Sequence, residues 1–289
     1  MLRVEAKSIL NKHRRRDPWF LDDYSVNPYY GCPFGCVYCY VRGGRYGSSV
    51  RGVGAKVNAP EVLERQLRRR ARRGEYGIIA LGTSTEPYMP QERELRLTRA
   101  VLEVILRHRF PVHVLTKSSL VIRDADLLAE IGDRAILPPD LEGRLESGAM
   151  VTVSLSTLDE DIARIFEPGA PPPSERLDLM LRLRSAGIFA GVAYIPVLPF
   201  ISDSEDCVRR MIRAAKEHGA AYVFVGALTL FGECKRSFYA VLSSRFQELL
   251  PKYRRLFGPR GEPPKTYQAE LDSVARRACA EEGVRYMLI

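Results

Sequence analysis

Asn27-Pro28-Tyr29-Tyr30-Gly31-Cys32-Pro33-Phe34-Gly35-Cys36-Val37-Tyr38-Cys39-Tyr40 carries three cysteines in eight residues, spaced C-x3-C-x2-C, directly after the strand-like run Tyr24 to Asn27. Thiolates at that spacing converge on one small metal cluster, because Gly31 and Gly35 let the backbone wrap closely around it. Three is the informative number. A four-iron cubane has one iron more than this loop has thiolates, and that iron is left for another ligand, as a catalytic zinc keeps an open position. Three other readings stay open on the residues alone. A structural zinc needs a fourth Cys or His, a ferredoxin-type carrier needs a fourth Cys, and a chance group of core cysteines needs nothing. His13, His108, His113 and His218 have no zinc-finger spacing to the trio, while Cys207, Cys234 and Cys279 are scattered candidates for a distant fourth ligand.

Outward from this loop, short β-branched runs alternate with stretches of helical period, the pattern of repeated βα units around a parallel sheet. Strands are expected at Tyr24 to Asn27, Gly77 to Leu81, Val112 to Thr116, Met150 to Leu155, Phe189 to Ile195 and Tyr222 to Leu228. Helices are expected near Ala59 to Arg73, Glu92 to Arg109, Asp124 to Ile131, Ser174 to Ala186 and Ser204 to His218. Pro171 to Pro173 and Ser174 start the fourth of these and Gly187 stops it, while Asp203-Ser204 caps the fifth. The fold class is therefore α/β, a partial (β/α)6 TIM-type barrel, and the length of 289 residues suits it. Ala135 to Ala149, with two prolines and mixed charge, reads as a surface insertion, and the chain from Gly232 onward as a helical carboxy-terminal cap. The division expected is a basic amino-terminal extension (1–23), the barrel core (24–230) and the cap (231–289).

Six cysteines in such a chain are too sparse for a disulfide scaffold. No apolar run approaches a membrane span, and the basic start has no apolar stretch behind it, so a cytoplasmic protein without a membrane partner is expected. The net charge of +9 lies wholly in residues 1–75, which hold 16 Lys or Arg against 7 Asp or Glu. Two runs dominate: Lys12 with Arg14 to Arg16, and Arg65, Arg68, Arg69, Arg70, Arg72 and Arg73. A polyanionic partner, nucleic acid above all, is one reading; a solvated helix face or a general arginine bias is the other.

The cysteine spacing after a first strand, with an aromatic before the third Cys, resembles the radical S-adenosylmethionine (SAM) superfamily. Its setting, Cys32-Pro-Phe-Gly-Cys-Val-Tyr-Cys-Tyr40, is similar to the spore photoproduct lyase-like branch. The resemblance runs from about Asn27 to Cys234 through GTSTEPYMPQE (82–92), TKSS (116–119), VSLSTLDEDIARIFEPGAP (153–171) and GVAYIPVLPFISD (191–203). It implies a [4Fe-4S] cluster on Cys32, Cys36 and Cys39 and SAM on the remaining iron. It also implies a low-potential electron donor and cleavage of SAM to a 5′-deoxyadenosyl radical that takes hydrogen from a substrate. Thr83, Ser84 and Glu86 then offer oxygens to the SAM amino group, Lys117 and Ser154, with Ser156 beside them, meet its carboxylate region, and Ile195 and the Tyr38 backbone meet the adenine.

Spore photoproduct lyase carries, after its second strand, a cysteine that returns hydrogen to the repaired thymine. Here that position corresponds to Gly82, which has no thiol. Cys234, just past the last strand, and Tyr40, beside Cys39, are the candidate replacements. Three functions follow: a radical SAM enzyme that repairs or modifies a nucleic-acid base, one acting on a small molecule, or a cluster-bearing electron carrier or sensor.

Overall fold

The computed structural model describes residues 1–43, 52–259 and 261–289. Strands β1 (Leu2–Val4), β2 (Leu10–Lys12), β3 (Tyr24–Val26) and β4 (Tyr29–Tyr30) open the chain. Helix α1 (Tyr40–Gly43), strand β5 (Gly54–Lys56) and helix α2 (Ala59–Ala71) lead to β6 (Ile79–Leu81). Next come α3 (Glu92–Leu95), α4 (Leu97–Arg107), β7 (Val112–Thr116), α5 (Ala125–Arg134) and β8 (Ala149–Leu155). They are followed by α6 (Glu160–Phe166), α7 (Pro173–Ser185), β9 (Phe189–Val197), α8 (Glu205–Glu217) and β10 (Tyr222–Ala227). Helices α9 (Gly232–Arg245), α10 (Leu250–Phe257) and α11 (Lys265–Glu282) and strand β11 (Arg285–Tyr286) complete it.

The main sheet has the order β11-β10-β9-β8-β7-β6-β3-β2. The six strands expected from the sequence are β3 and β6 to β10, neighbours in that order and all parallel. Among the described residues the edge strands β2 and β11 do not pair, so the wall stays open and the barrel is partial. The central strands are apolar on both faces: β8 reads Ala-Met-Val-Thr-Val-Ser-Leu with every residue but Ser154 buried, as a parallel strand covered by helices outside and filled inside requires. Each outer helix buries one stripe. In α8 it is Val208, Met211, Ile212 and Ala215, spaced i, i+3, i+4, i+7.

The stretch Glu92 to Arg109, expected as one helix, is two. Arg96 takes a left-handed conformation between α3 and α4, and the buried Glu92 carboxylate accepts the first amides of α4, from Thr98 (2.9 Å) and Arg99 (3.3 Å). An acidic group at a helix start offsets the cost of the break.

The barrel interior is filled from the amino ends of its strands. Residues 1–23 supply β2 to the main sheet and β1 to a small sheet β1-β5-β4, and then the turn Trp19-Phe20-Leu21 enters the barrel. Trp19 stacks on Phe224 and Phe20 meets both Phe224 and His113 edge-on. The segment read as a surface insertion contributes as well: Leu141 and Leu145 are buried in this same cluster with Met150 and Leu288, so only part of it is surface. Its prolines and charges described the exposed turns and hid the two leucines between them.

The chain after β10 also divides. Helices α9 and α10 form the cap, joining Val37, Tyr38, Phe166 and Leu198 in one apolar cluster over the carboxyl ends. Helix α11 returns to the barrel wall, burying Leu271, Ala275, Ala278 and Cys279 in the main core. Among the described residues no helix is long and apolar enough to cross a membrane.

His113 makes the interior sensitive to acid. Its Nδ1–H donates to the Phe20 carbonyl (2.9 Å), leaving Nε2 to accept from Thr152 Oγ1 (2.6 Å), so the ring is held neutral. Burial lowers its pKa from 6.5 to about 4. The unfolded chain therefore binds a proton that the folded one refuses. Stability is full above pH 6.5, falls as pH drops toward about 4 and levels off below, a loss of about 3 kcal/mol. Denaturant midpoints measured from pH 7.5 to 4 in wild type and His113→Gln are expected to show this segment of the curve flattened in the variant.

Candidate active site

At the opposite, carboxyl ends of the strands lies a cavity of about 280 Å³. Cys32, Cys36 and Cys39 line it from the loop after β3, together with Tyr38 and Tyr40. The turns after β6 and β7 bring Gly82 to Glu86 and Lys117, and the ends of β8 and β9 bring Ser154 and Ile195. The structure thus gathers all but two of the sequence-expected site residues around one space.

Two loops are stitched to form its rim. Asn27 Nδ2 donates to Thr83 Oγ1 (3.0 Å), and Asn27 Oδ1 accepts from the Ser84 amide (3.0 Å). The Tyr40 hydroxyl donates to the Thr83 carbonyl and the Thr85 hydroxyl, at 2.5 Å, to that of Gly31. Gly31 and Gly35 both take φ +66°, in the left-handed region, so the cysteine loop coils as its sequence suggested. Asn27, five residues before Cys32, is a site residue outside those expected from the sequence.

Burial pushes the Cys36 thiol up to about 12, with Lys117 pulling the other way. Burial also raises Cys32, against amide groups of Phe34 and Glu86 that lower it. Thiols so held release their protons when a metal binds, and the metal replaces the proton as the compensating charge. Among the described residues no three His, Cys, Asp or Glu side chains converge on the position of a single ion. In a cubane each thiolate takes a different iron, so its ligands stand farther apart than those of one ion.

Facing the thiols, Lys117 Nζ donates to Ser154 Oγ (2.7 Å), which in turn donates to the Ile195 carbonyl (3.2 Å). Burial lowers the Lys117 pKa while the nearby cysteines raise it. Its ammonium keeps donors to spare for an incoming anion. Glu86 is occupied differently from expectation. Its carboxylate already accepts from Thr116 Oγ1 (2.5 Å) and from the amides of Tyr88 (3.0 Å) and Lys117 (2.9 Å), so its main task is to hold the turn after β6 against the end of β7. Burial raises its pKa and these donors lower it.

Two expected residues lie elsewhere. Ser156 is buried behind the wall and donates to Glu167 Oε1 (3.1 Å). Cys234 is fully buried with Leu230, Phe238 and Leu242, its sulfur accepting from the Phe231 amide (3.3 Å), and it does not line the cavity. Its position just past the last strand suggested exposure to the active face, but α9 turns it into the cap. The arginine runs are also apart from the site. Arg70 sits 5.7 Å over the ring of Tyr24, which begins β3, and Arg16 pairs with Asp23 (3.0 Å), both at the amino ends of the strands. Arg45 and Arg51 of the same quarter lie outside the described residues.

Residues 26–212 match the family model described as the radical SAM superfamily, more than half of the chain. The chain belongs to the radical SAM superfamily. An uncharacterized protein of Mycobacterium tuberculosis (strain ATCC 25618 / H37Rv) is 31% identical over 258 residues, which cover 86% of this chain and 71% of that protein. A radical SAM Nalpha-GlyT isomerase of Pseudomonas phage M6 is 24% identical, covering 94% of this chain and 54% of that protein. Among solved structures, a spore photoproduct lyase variant with bound AdoMet and dinucleoside spore photoproduct superposes with a TM-score of 0.73 at 14% identity, covering 99% of this chain and 80% of that one. Radical SAM enzymes use a [4Fe-4S] cluster and SAM, and these are the cofactors of this chain.

Gly82 lines the cavity with φ +98°, and a Cβ added there would stand 2.5 Å from the Leu115 carbonyl oxygen and 2.8 Å from Pro87 Cδ. The position is shaped for a residue without a side chain. Gly82→Ala is therefore expected to lose roughly 1–3 kcal/mol in a denaturant titration, through left-handed strain and backbone contact. Cys234→Ala, outside the cavity, is expected to reconstitute to the same iron content as wild type.

Proposed function

We propose that the chain is a radical SAM enzyme that removes hydrogen from a nucleic-acid base to repair or modify it. The observation that carries the radical SAM part is the convergence on one cavity of three thiols, the Lys117–Ser154 pair and the Thr83–Ser84 turn. That donor set fits the cofactors: soft thiolates for iron on one side, an ammonium and hydroxyls for an amino acid on the other.

In this reading Cys32, Cys36 and Cys39 would hold the cluster and leave one of its irons for SAM. The cluster and SAM, when bound, would supply the reducing electron and the radical chemistry that takes hydrogen from substrate. Lys117, oriented by Ser154, pairs with the SAM carboxylate. Thr83 and Ser84, fixed by Asn27, offer oxygens to the amino group, and Ile195 and the Tyr38 backbone border the adenine. The aromatic cluster beneath, which includes Phe20 of the cavity lining, makes that side of the cavity apolar.

For the substrate, the support is Tyr40. It lines the cavity yet is 58% exposed, presenting a flat ring of the kind on which bases stack. The dinucleoside in the spore photoproduct lyase structure points the same way. A small-molecule substrate is the second reading, favoured by the placing of both arginine runs at the far end of the barrel.

Anaerobic reconstitution with dithionite and SAM, followed by a 5′-deoxyadenosine assay with DNA, RNA and metabolite pools, tests both. A rise with nucleic acid supports the first reading; a rise with metabolites alone supports the second; no 5′-deoxyadenosine at all leaves an electron carrier. Lys117→Ala is expected to weaken SAM binding about 10- to 100-fold, the worth of one hydrogen bond to a charged group.

A further inference from the structure

Behind the cavity wall lies a buried ionic group that the mechanism above does not use. Glu167, at the end of α6, and Arg176, in α7, are 2% and 1% exposed. Each guanidinium nitrogen has a partner: Nη2 pairs with Glu167 Oε2, Nε donates to the Pro171 carbonyl (2.8 Å) and Nη1 to the Ser154 carbonyl (3.0 Å). The other Glu167 oxygen accepts from the Tyr38 hydroxyl and from Ser156 Oγ (3.1 Å), and stands 4.0 Å from Lys117 Nζ. Backbone bonds run alongside, from Val37 N to Phe166 O (2.8 Å) and from Gly169 N to Phe34 O (2.9 Å). One carboxylate thus touches the cysteine loop through Tyr38 and the strand end through Ser156. Through Arg176 and Lys117 it reaches both partners of the Lys117–Ser154 pair.

A buried ion pair is an expensive way to gain stability, and an apolar pair of similar size often does as well. What it supplies is fixed direction, since charged hydrogen bonds hold their partners at set distances.

We infer that Glu167, held by Arg176, is a positioning residue that locks the cysteine loop to the wall carrying Lys117 and Ser154, so that cluster and SAM are presented to each other in one geometry. This rests on the reading that Cys32, Cys36 and Cys39 hold the cluster and that Lys117 faces SAM. Glu167 touches neither group; it acts through Tyr38 on one side and through Lys117 and Arg176 on the other.

The test compares wild type, Tyr38→Phe, Glu167→Gln and the double variant after anaerobic reconstitution with iron and sulfide. Two quantities are measured: the rate of iron loss to a chelator without SAM, and SAM affinity by equilibrium dialysis. Each single variant is expected to lose iron about 10-fold faster and to bind SAM about 10-fold more weakly, the scale of a lost outer partner at a metal site. The double variant is expected to be no worse than Glu167→Gln, because hydroxyl and carboxylate form one link. Effects that multiply in the double variant, or a Tyr38→Phe protein unchanged in both measurements, would overturn the inference. If Glu167→Gln fails to fold with Arg176 left unpaired, Glu167→Gln combined with Arg176→Met removes both charges and takes its place. A wild type that holds iron but binds no SAM would sink the reading of Lys117 and Ser154, while the iron-release arm would still decide whether Glu167 anchors the loop. A wild type that holds no iron would overturn both.

Discussion

An open barrel of parallel strands has an interior that must be filled, and here it is filled from one end only. The Trp19-Phe20-Leu21 turn, with Leu141, Leu145 and Leu288, packs the amino end against Met150, Tyr222 and Phe224. The carboxyl end is left as a cavity lined by Phe20, by the carboxyl-terminal halves of β7 to β10 and by the loops that follow β3, β6, β7 and β10. Every functional group follows from that asymmetry, because side chains at strand ends are where loops begin and where the helix dipoles and polar turns can reach a ligand.

The cavity is apolar below and polar above, and its polar side is held by a chain of second contacts rather than by the strands alone. Asn27 ties the loop after β3 to the turn after β6. Glu86 ties that turn to the end of β7, and Arg176 with Glu167 ties β8 to the cysteine loop. Four successive strand ends are joined in this way by buried side chains with few free donors or acceptors. Such satisfied networks resist small displacements, which suits chemistry in which atoms must be held within a fraction of an ångström.

The arginine-rich amino-terminal quarter illustrates how charge on a sequence acquires meaning only from its location. Arg68 pairs with Glu64 four residues earlier, Arg70 packs over Tyr24, and Arg16 bridges to Asp23 and Asp140. These are largely local pairings on the outer, amino-end face, each worth little singly. They give the protein its basic character without shaping the rim of the cavity.

The cysteine spacing, the βα alternation and the runs at 82–92 and 116–119 determined the family, the parallel barrel and most of the cavity lining. Those signals are local: a strand, a turn and the residue that ends it are adjacent in the chain. Tertiary structure alone decided the rest. Ser154 and Ser156 are two residues apart and would share one face of a continuing strand, but β8 ends at Leu155, so Ser154 lines the cavity while Ser156 turns behind the wall to Glu167. Cys234 follows the last strand as closely as other site residues follow theirs, yet the turn into α9 buries it in the cap. Glu167 and Arg176 looked like ordinary charged residues on helices. Their partnership with Tyr38, 129 residues from Glu167 in the chain, exists only because the cysteine loop folds back onto α6, and no spacing in a sequence encodes a contact made across the fold.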